Sequence, residues 1–141
     1  MKTFQLQTTQ TMTENQEEKC QEALIALYYL IIVADGVISP RELDIGNLMI
    51  RDESIDEQFF RNKMEELRVM DKESLYQYGI ELIKDCPEER QIKAVAWMSN
   101  IANSDGFMDP KEWALIYKIY HKELGLDLEK IMSVQKKLPR P

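Results

Sequence analysis

Apolar residues fall along this chain in blocks with helical spacing, and the breaks between blocks carry cap and turn residues. Residues 1 to about 12 are polar, rich in Thr and Gln and without period, and read as a mobile arm. A first helix is expected from Thr13, which with Gln16 fits a capping box. It runs through the apolar block ALIALYYLIIVA to Ala34 and stops at Gly36. Apolar residues on all sides of its second half mark it as central and buried. The fragment YYLIIV alone also suits a buried strand, but its continuity with the charged, helix-favouring NQEEKCQEALIAL decides for helix. SPRE then marks a helix start, with Ser39 as cap, Pro40 at the first helical position and Glu42 three residues after the cap. This second helix extends to about Ile50.

SIDE (Ser54 to Glu57) starts a third helix, with Phe59, Phe60, Met64, Leu67 and Met70 near a helical period. A fourth follows Asp71, with Gly79 a mild weakness in it. Pro87 opens a fifth, acidic in its first turn as the helix dipole prefers. DPKE (Asp109 to Glu112) starts a sixth that ends at Gly125, and a seventh runs from Asp127 to about Lys136. The pattern predicts an all-α domain of seven helices over residues 13–137, with a short tail at 138–141.

Composition narrows the function classes. The chain has 141 residues, 44% of them hydrophobic, enough for one domain with a real core. Its formal charge is −7, from 25 acidic and 18 basic residues, with no concentrated basic footprint for nucleic acid. That balance favours solubility and leaves room for a cation or a basic partner. Cys20 and Cys86 form no CxxC and no metal-ligand spacing, and with a single histidine they exclude Cys/His zinc chemistry. Both read as reduced packing residues of a cytoplasmic protein. The N-terminus has no apolar core of a secretory signal, and the longest apolar run is too short to span a bilayer.

One phrase is written twice. VADGVISPREL (33–43) returns as NSDGFMDPKEW (103–113), at an offset of seventy, and Ala26/Ala96, Leu27/Trp97, Ile31/Ile101 and Ile45/Leu115 extend the match. Helix, DG turn, helix thus occurs as helices one–two and five–six. The expectation is two related hairpins about a pseudo-twofold axis, bridged by helices three and four.

The phrase resembles the second half of an EF-hand loop, but that loop needs oxygen ligands four and two residues before the Asp. Those places hold Ile31 and Val33 in one copy and Ile101 and Asn103 in the other, so the EF-hand fails at its first ligand. Helix capping explains more. Ser39 and Asp109 are caps, Pro40 and Pro110 fit the first helical position, Glu42 and Glu112 complete capping boxes, and Gly36 and Gly106 relieve a left-handed turn. Asp35 and Asp105 are left over, each at a helix C-terminus where a carboxylate is disfavoured. An Asx-type hydrogen bond or a bound cation would offset that cost. If the hairpins face each other, Asp35, Glu42, Asp105 and Glu112 form a hard oxygen cluster suited to calcium or magnesium. The second copy offers more oxygens, through Asn103, Ser104 and Asp109. On the residues alone, capping is the stronger reading.

Two DG–x–x–[S/D]–P–x–E turns in a seven-helix chain resemble the TerB tellurite-resistance family, whose related domains occur in membrane-anchored DnaJ-like cochaperones. The resemblance covers roughly residues 18 to 135 and rests on ADGVISPREL and NSDGFMDPKEW. It implies repeated helical hairpins, a metal site that lands on Asp35, Glu42, Asp105 and Glu112, and a role in bacterial stress or tellurite resistance through protein partners rather than turnover. One departure is the bulk of LYYLIIVADG where the family is small and Ala-rich, an obstacle to close packing of that hairpin. The alternative is a helical interaction module whose turns are structural only.

Elsewhere, His121 reads as a partly exposed residue at a helix C-terminus, and Trp97 and Trp113 as packing residues. The six tyrosines suit core more than a partner groove, and EERQ and DESIDEQ read as solvated charge. No nucleophile elbow, P-loop or GxGxxG is present, so nothing supports an enzyme.

Overall fold

A computed structural model of the chain describes residues 12–34, 36–104, 106 and 109–140, so all of the expected arm over residues 1–12 except Met12 lies outside it. The described residues form seven α-helices and no strand: α1 Glu14–Ile32, α2 Pro40–Asp52, α3 Glu57–Arg68, α4 Lys72–Lys84, α5 Glu88–Ala102, α6 Pro110–Tyr117 and α7 Leu128–Lys137. The all-α class read from the sequence holds. α6 continues without a break into a π-helical segment, Lys118–Glu123, closed by a Leu124 N–H bond to the Ile119 carbonyl at 3.0 Å.

Caps set most of the helix starts. Thr13 and Gln16 form the reciprocal box expected of them, with bonds of 3.0 and 3.1 Å. Asp56, Asp71 and Asp127 accept from the amides of Phe59, Ser74 and Glu129 at 2.8 to 3.0 Å. The third helix therefore starts later than SIDE suggests. Ser54 instead closes α2: its φ is +55°, and the Ile55 N–H reaches back to the Ile50 carbonyl at 2.9 Å. That is the left-handed stop usually given to glycine, built here on a serine.

The core gathers around α1 and α5. Ala23, Ile25, Ala26, Leu27 and Ile31 of α1 expose nothing, and neither do Val95, Ala96, Trp97, Met98 and Ile101 of α5. Burying each large aliphatic side chain contributes roughly 1.5–3 kcal/mol, so these two helices dominate the hydrophobic stabilisation. α1 packs on α3, α4 and α5. α2 lies on α5, while α6 lies on both α5 and α1, so each hairpin's second helix covers the first helix of the other.

The bulk of LYYLIIVADG is absorbed by a glycine that no motif singles out. Tyr28 is 2% exposed and its ring lies against Gly46 of α2. A Cβ at Gly46 would sit 2.7 Å from Tyr28 Cε1 and nearer still to the hydroxyl. The hairpin closes because α2 has no side chain at that point. Gly79 differs: a Cβ there would meet Ala26 Cβ, Leu27 Cδ2 and Leu30 Cδ1 at an ordinary 3.5 Å.

Two polar ties and a covalent one bind the helices around the core. Glu53, at the end of α2, accepts from Trp97 Nε1 at 2.8 Å and pairs with Lys93 at 3.0 Å, so it is not the solvated charge that DESIDEQ suggests. Arg90 of α5 grips Glu17 of α1 with both terminal nitrogens, at 2.6 and 3.1 Å, so of EERQ the arginine is tied into the fold while Glu88 and Glu89 stay exposed. Cys20 and Cys86 are joined as a disulfide with a Cα separation of 5.9 Å. This corrects the expectation of two reduced thiols: nothing in the 66-residue spacing signals the bridge, because only the packing of α1 against the α4–α5 connection brings them together. No described helix is long and apolar enough to cross a membrane.

Two expectations follow from this packing. In urea unfolding, Gly46→Ala lowers stability by about 1–3 kcal/mol through overpacking, whereas Gly79→Ala is neutral or stabilising by up to ~1 kcal/mol through helix propensity. Equal effects at the two positions would contradict the Tyr28–Gly46 fit. Reduction of a bridge spanning 66 residues costs roughly 4 kcal/mol on the chain-entropy estimate, so a reductant shifts the melting temperature down. An unchanged melt would contradict the bridge.

Candidate functional site

The described residues of the two repeated turns share one hydrogen-bond pattern. After α1, Val33, Ala34 and Gly36 donate to the carbonyls of Tyr29, Ile31 and Val33; after α5, Asn103, Ser104 and Gly106 donate to those of Ser99, Ile101 and Asn103. Each bond recurs at the same offset, and Gly36 and Gly106 share the left-handed conformation, φ +82° and +92°. Both glycines stand in open space, so backbone conformation and not crowding selects them.

The caps that follow are not the same. Ser39 and Glu42 form a full box: the Glu42 N–H donates to Ser39 Oγ at 3.1 Å and the Ser39 N–H to Glu42 Oε1 at 2.9 Å. At the second turn, Asp109 Oδ1 accepts from the Lys111 N–H, two residues on, at 2.8 Å. The capping-box expectation is met by Glu42, while Asp109 uses a tighter local bond than the one to Glu112 N–H that the box requires.

Glu42 and Glu112 are nonetheless alike in a second respect, each being 4% exposed. A helix-start glutamate that only caps has no need of such burial. Asp35 and Asp105, the other two proposed ligands, lie outside the described residues. Among the described residues no three His, Cys, Asp or Glu side chains gather in a metal-holding group.

Around the second turn, Ser104 Oγ is buried and has no hydrogen-bond partner among the described residues. It borders a cavity of about 230 Å³ with Asn100 and Asn103, closed on the far side by Gln135 and Arg140. The sequence marked Asn103 and Ser104 as extra oxygens; the structure adds that the serine hydroxyl is orphaned.

Tyr28 ties the first turn to the core. Its hydroxyl donates to the Glu42 carbonyl at 3.5 Å, and its pKa is pushed up to about 12, first by burial and then by the nearby Glu42 carboxylate. Exposed apolar side chains rim both turns: Val37, Ile38 and Leu43 at the first, Trp113 and Tyr117 at the second. Trp113, expected in the core, is 45% exposed, while Trp97 is fully buried as expected. His121 is exposed and stacks on Tyr117 at 4.8 Å between ring centroids.

The Tyr28 shift has a sign. The folded state holds the phenol neutral above its ordinary value of 10.0, so its contribution is complete below pH 10 and is lost as pH rises through about 12. Tyr76 is shifted the same way, by burial and by its bond to Glu123. Urea unfolding followed from neutral to alkaline pH therefore shows stability falling above pH 10. Tyr28→Phe makes that fall shallower, and an unchanged slope would contradict the burial of a neutral Tyr28.

Compared with known proteins, the chain matches the family profile described as "Tellurite resistance protein TerB" over residues 21–135. No curated protein and no solved structure matches it significantly. The profile spans most of the chain and takes in both turns, and the chain belongs to that family.

Proposed function

We propose that this TerB-family chain is a non-enzymatic protein of bacterial stress and tellurite resistance whose paired turns hold a divalent cation through Asp35, Glu42, Asp105 and Glu112. The observation that carries the reading is the shared burial of Glu42 and Glu112 at equivalent positions after two turns whose described residues share a hydrogen-bond pattern. A buried carboxylate is costly unless donors or a cation compensate it. For Glu42, the Ser39 amide meets one oxygen. The orphaned Ser104 hydroxyl supplies a further hard donor at the second turn. Carboxylates and a hydroxyl, without thiolate or imidazole, fit calcium or magnesium rather than zinc. Bound there, the ion would neutralise aspartates placed at the unfavourable ends of α1 and α5.

A second reading rests on a different observation. Val37, Ile38, Leu43 and Trp113 are 45 to 66% exposed around the turns, which suits a helical interaction module whose turns are purely structural and whose partners are proteins.

Calorimetric titration with calcium and with magnesium separates the two. The cation reading expects heat and a raised melting temperature in the natural chain, both lost in Asp35→Asn/Asp105→Asn. No heat and no melting shift in the natural chain would leave only the interaction module.

A further inference from the structure

Beside the turns, and using none of their carboxylates, lies a second cavity of about 230 Å³. Its floor is aliphatic, made by Leu30 and Val33 from the end of α1 and Leu115 from α6. Tyr76 of α4 forms one wall. Two lysines rise at its mouth from separate helices, Lys72 from the first turn of α4 and Lys111 from the first turn of α6. Neither ammonium has a carboxylate partner among the described residues, although this chain is acidic overall and lysines elsewhere, such as Lys63, Lys84 and Lys93, do pair with glutamates.

The wall is held in place before any ligand arrives. The Tyr76 hydroxyl donates to Glu123 Oε2 at 2.7 Å, and Lys84 pairs with the other oxygen of that carboxylate at 3.5 Å. Lys118 stands 4.4 Å over the Tyr76 ring. Glu123 and Lys118 are the two ends of the π-helical segment, which explains what that unusual stretch does: its wider turn delivers both groups to one tyrosine. Small-molecule sites are mostly apolar pockets with a few placed polar groups, and this pocket has that composition.

We propose that this pocket binds a small amphipathic monoanion, a carboxylate on a short aliphatic or aromatic body. The body fills the Leu30–Val33–Leu115 floor, and the head lies between the Lys72 and Lys111 ammonium groups. At about 30 Å³ per water-sized unit, 230 Å³ holds roughly seven or eight heavy atoms, the size of hexanoate. The neighbouring cap carboxylates Asp71 and Asp109 limit the local positive charge, so a monoanion is favoured over a phosphate dianion.

Methyl and amide NMR of the full chain tests this, with hexanoate, hexanol, inorganic phosphate and N-acetyl-leucine as probes. Hexanoate is expected to shift the methyl signals of Leu30, Val33 and Leu115 with a dissociation constant on the order of a millimolar. Hexanol should bind more weakly and phosphate should leave these methyls unmoved. Lys72→Gln/Lys111→Gln, two exposed substitutions, should weaken hexanoate about tenfold and leave hexanol unchanged. N-acetyl-leucine binding as tightly as hexanoate would identify the natural source as a chain-end carboxylate; weaker binding would identify it as a free small acid. Equal affinity for hexanoate and hexanol, hexanoate binding untouched by the double substitution, or no methyl shift at all would overturn the proposal.

Discussion

The fold depends on the burial of α1. Its second half has no face left for water, so it can exist as a helix only if other helices surround it. α3 and α4 cover it on one part of its circumference and α5 and α6 on the rest. α5 is nearly as apolar, and the two therefore share a core that neither could form alone. The remaining helices are amphipathic and take their orientation from this pair. Tyr28 shows how narrow the fit is, since the ring can be buried only because α2 presents Gly46 to it.

Placing α1 and α5 at the centre also fixes where the two turns emerge. Both helices end in the same hydrogen-bond pattern and hand over to a helix whose first turn buries a glutamate. In the described residues of each turn, helix termination accounts for the backbone: a left-handed glycine, a cap and a proline satisfy or remove the groups that a helix end exposes. The depth of Glu42 and Glu112 is not explained in that way, and neither is an orphaned hydroxyl at Ser104. Those are the features on which the proposed cation site rests. The disulfide and the Arg90–Glu17 pair fasten the opposite end of α1, so the chain is pinned at both ends of its most buried element.

Much of the architecture was legible in the residues. Thr13, Ser39 and Asp109 are caps in the structure as in the sequence, because cap chemistry is local and carries its own signature. The seven helices and the burial of α1 follow from periodicity. What was not legible depends on distance along the chain. The Cys20–Cys86 bridge, the Glu53–Trp97 bond and the Tyr28–Gly46 contact each join elements that only the tertiary fold brings together. Trp113 misled because its helix is short and presents the indole outward, at a position that period alone assigns to the core. Ser54 misled because serine opens helices far more often than it closes them in a left-handed conformation. Of the candidate site, Glu42 and Glu112 were singled out by the repeat, and their burial is the structural fact that the repeat could not supply.

The claim that the paired turns form a cation site is tested most directly by paramagnetic NMR with manganese as a stand-in for the hard divalent ion. Trace Mn²⁺ added to the isotopically labelled chain should selectively broaden amides at residues 35–42 and 105–112, with recovery on adding excess magnesium. Broadening confined to the exposed acidic starts of α1 and α5, around Glu14, Glu18 and Glu89, with the two turns unaffected, would contradict it.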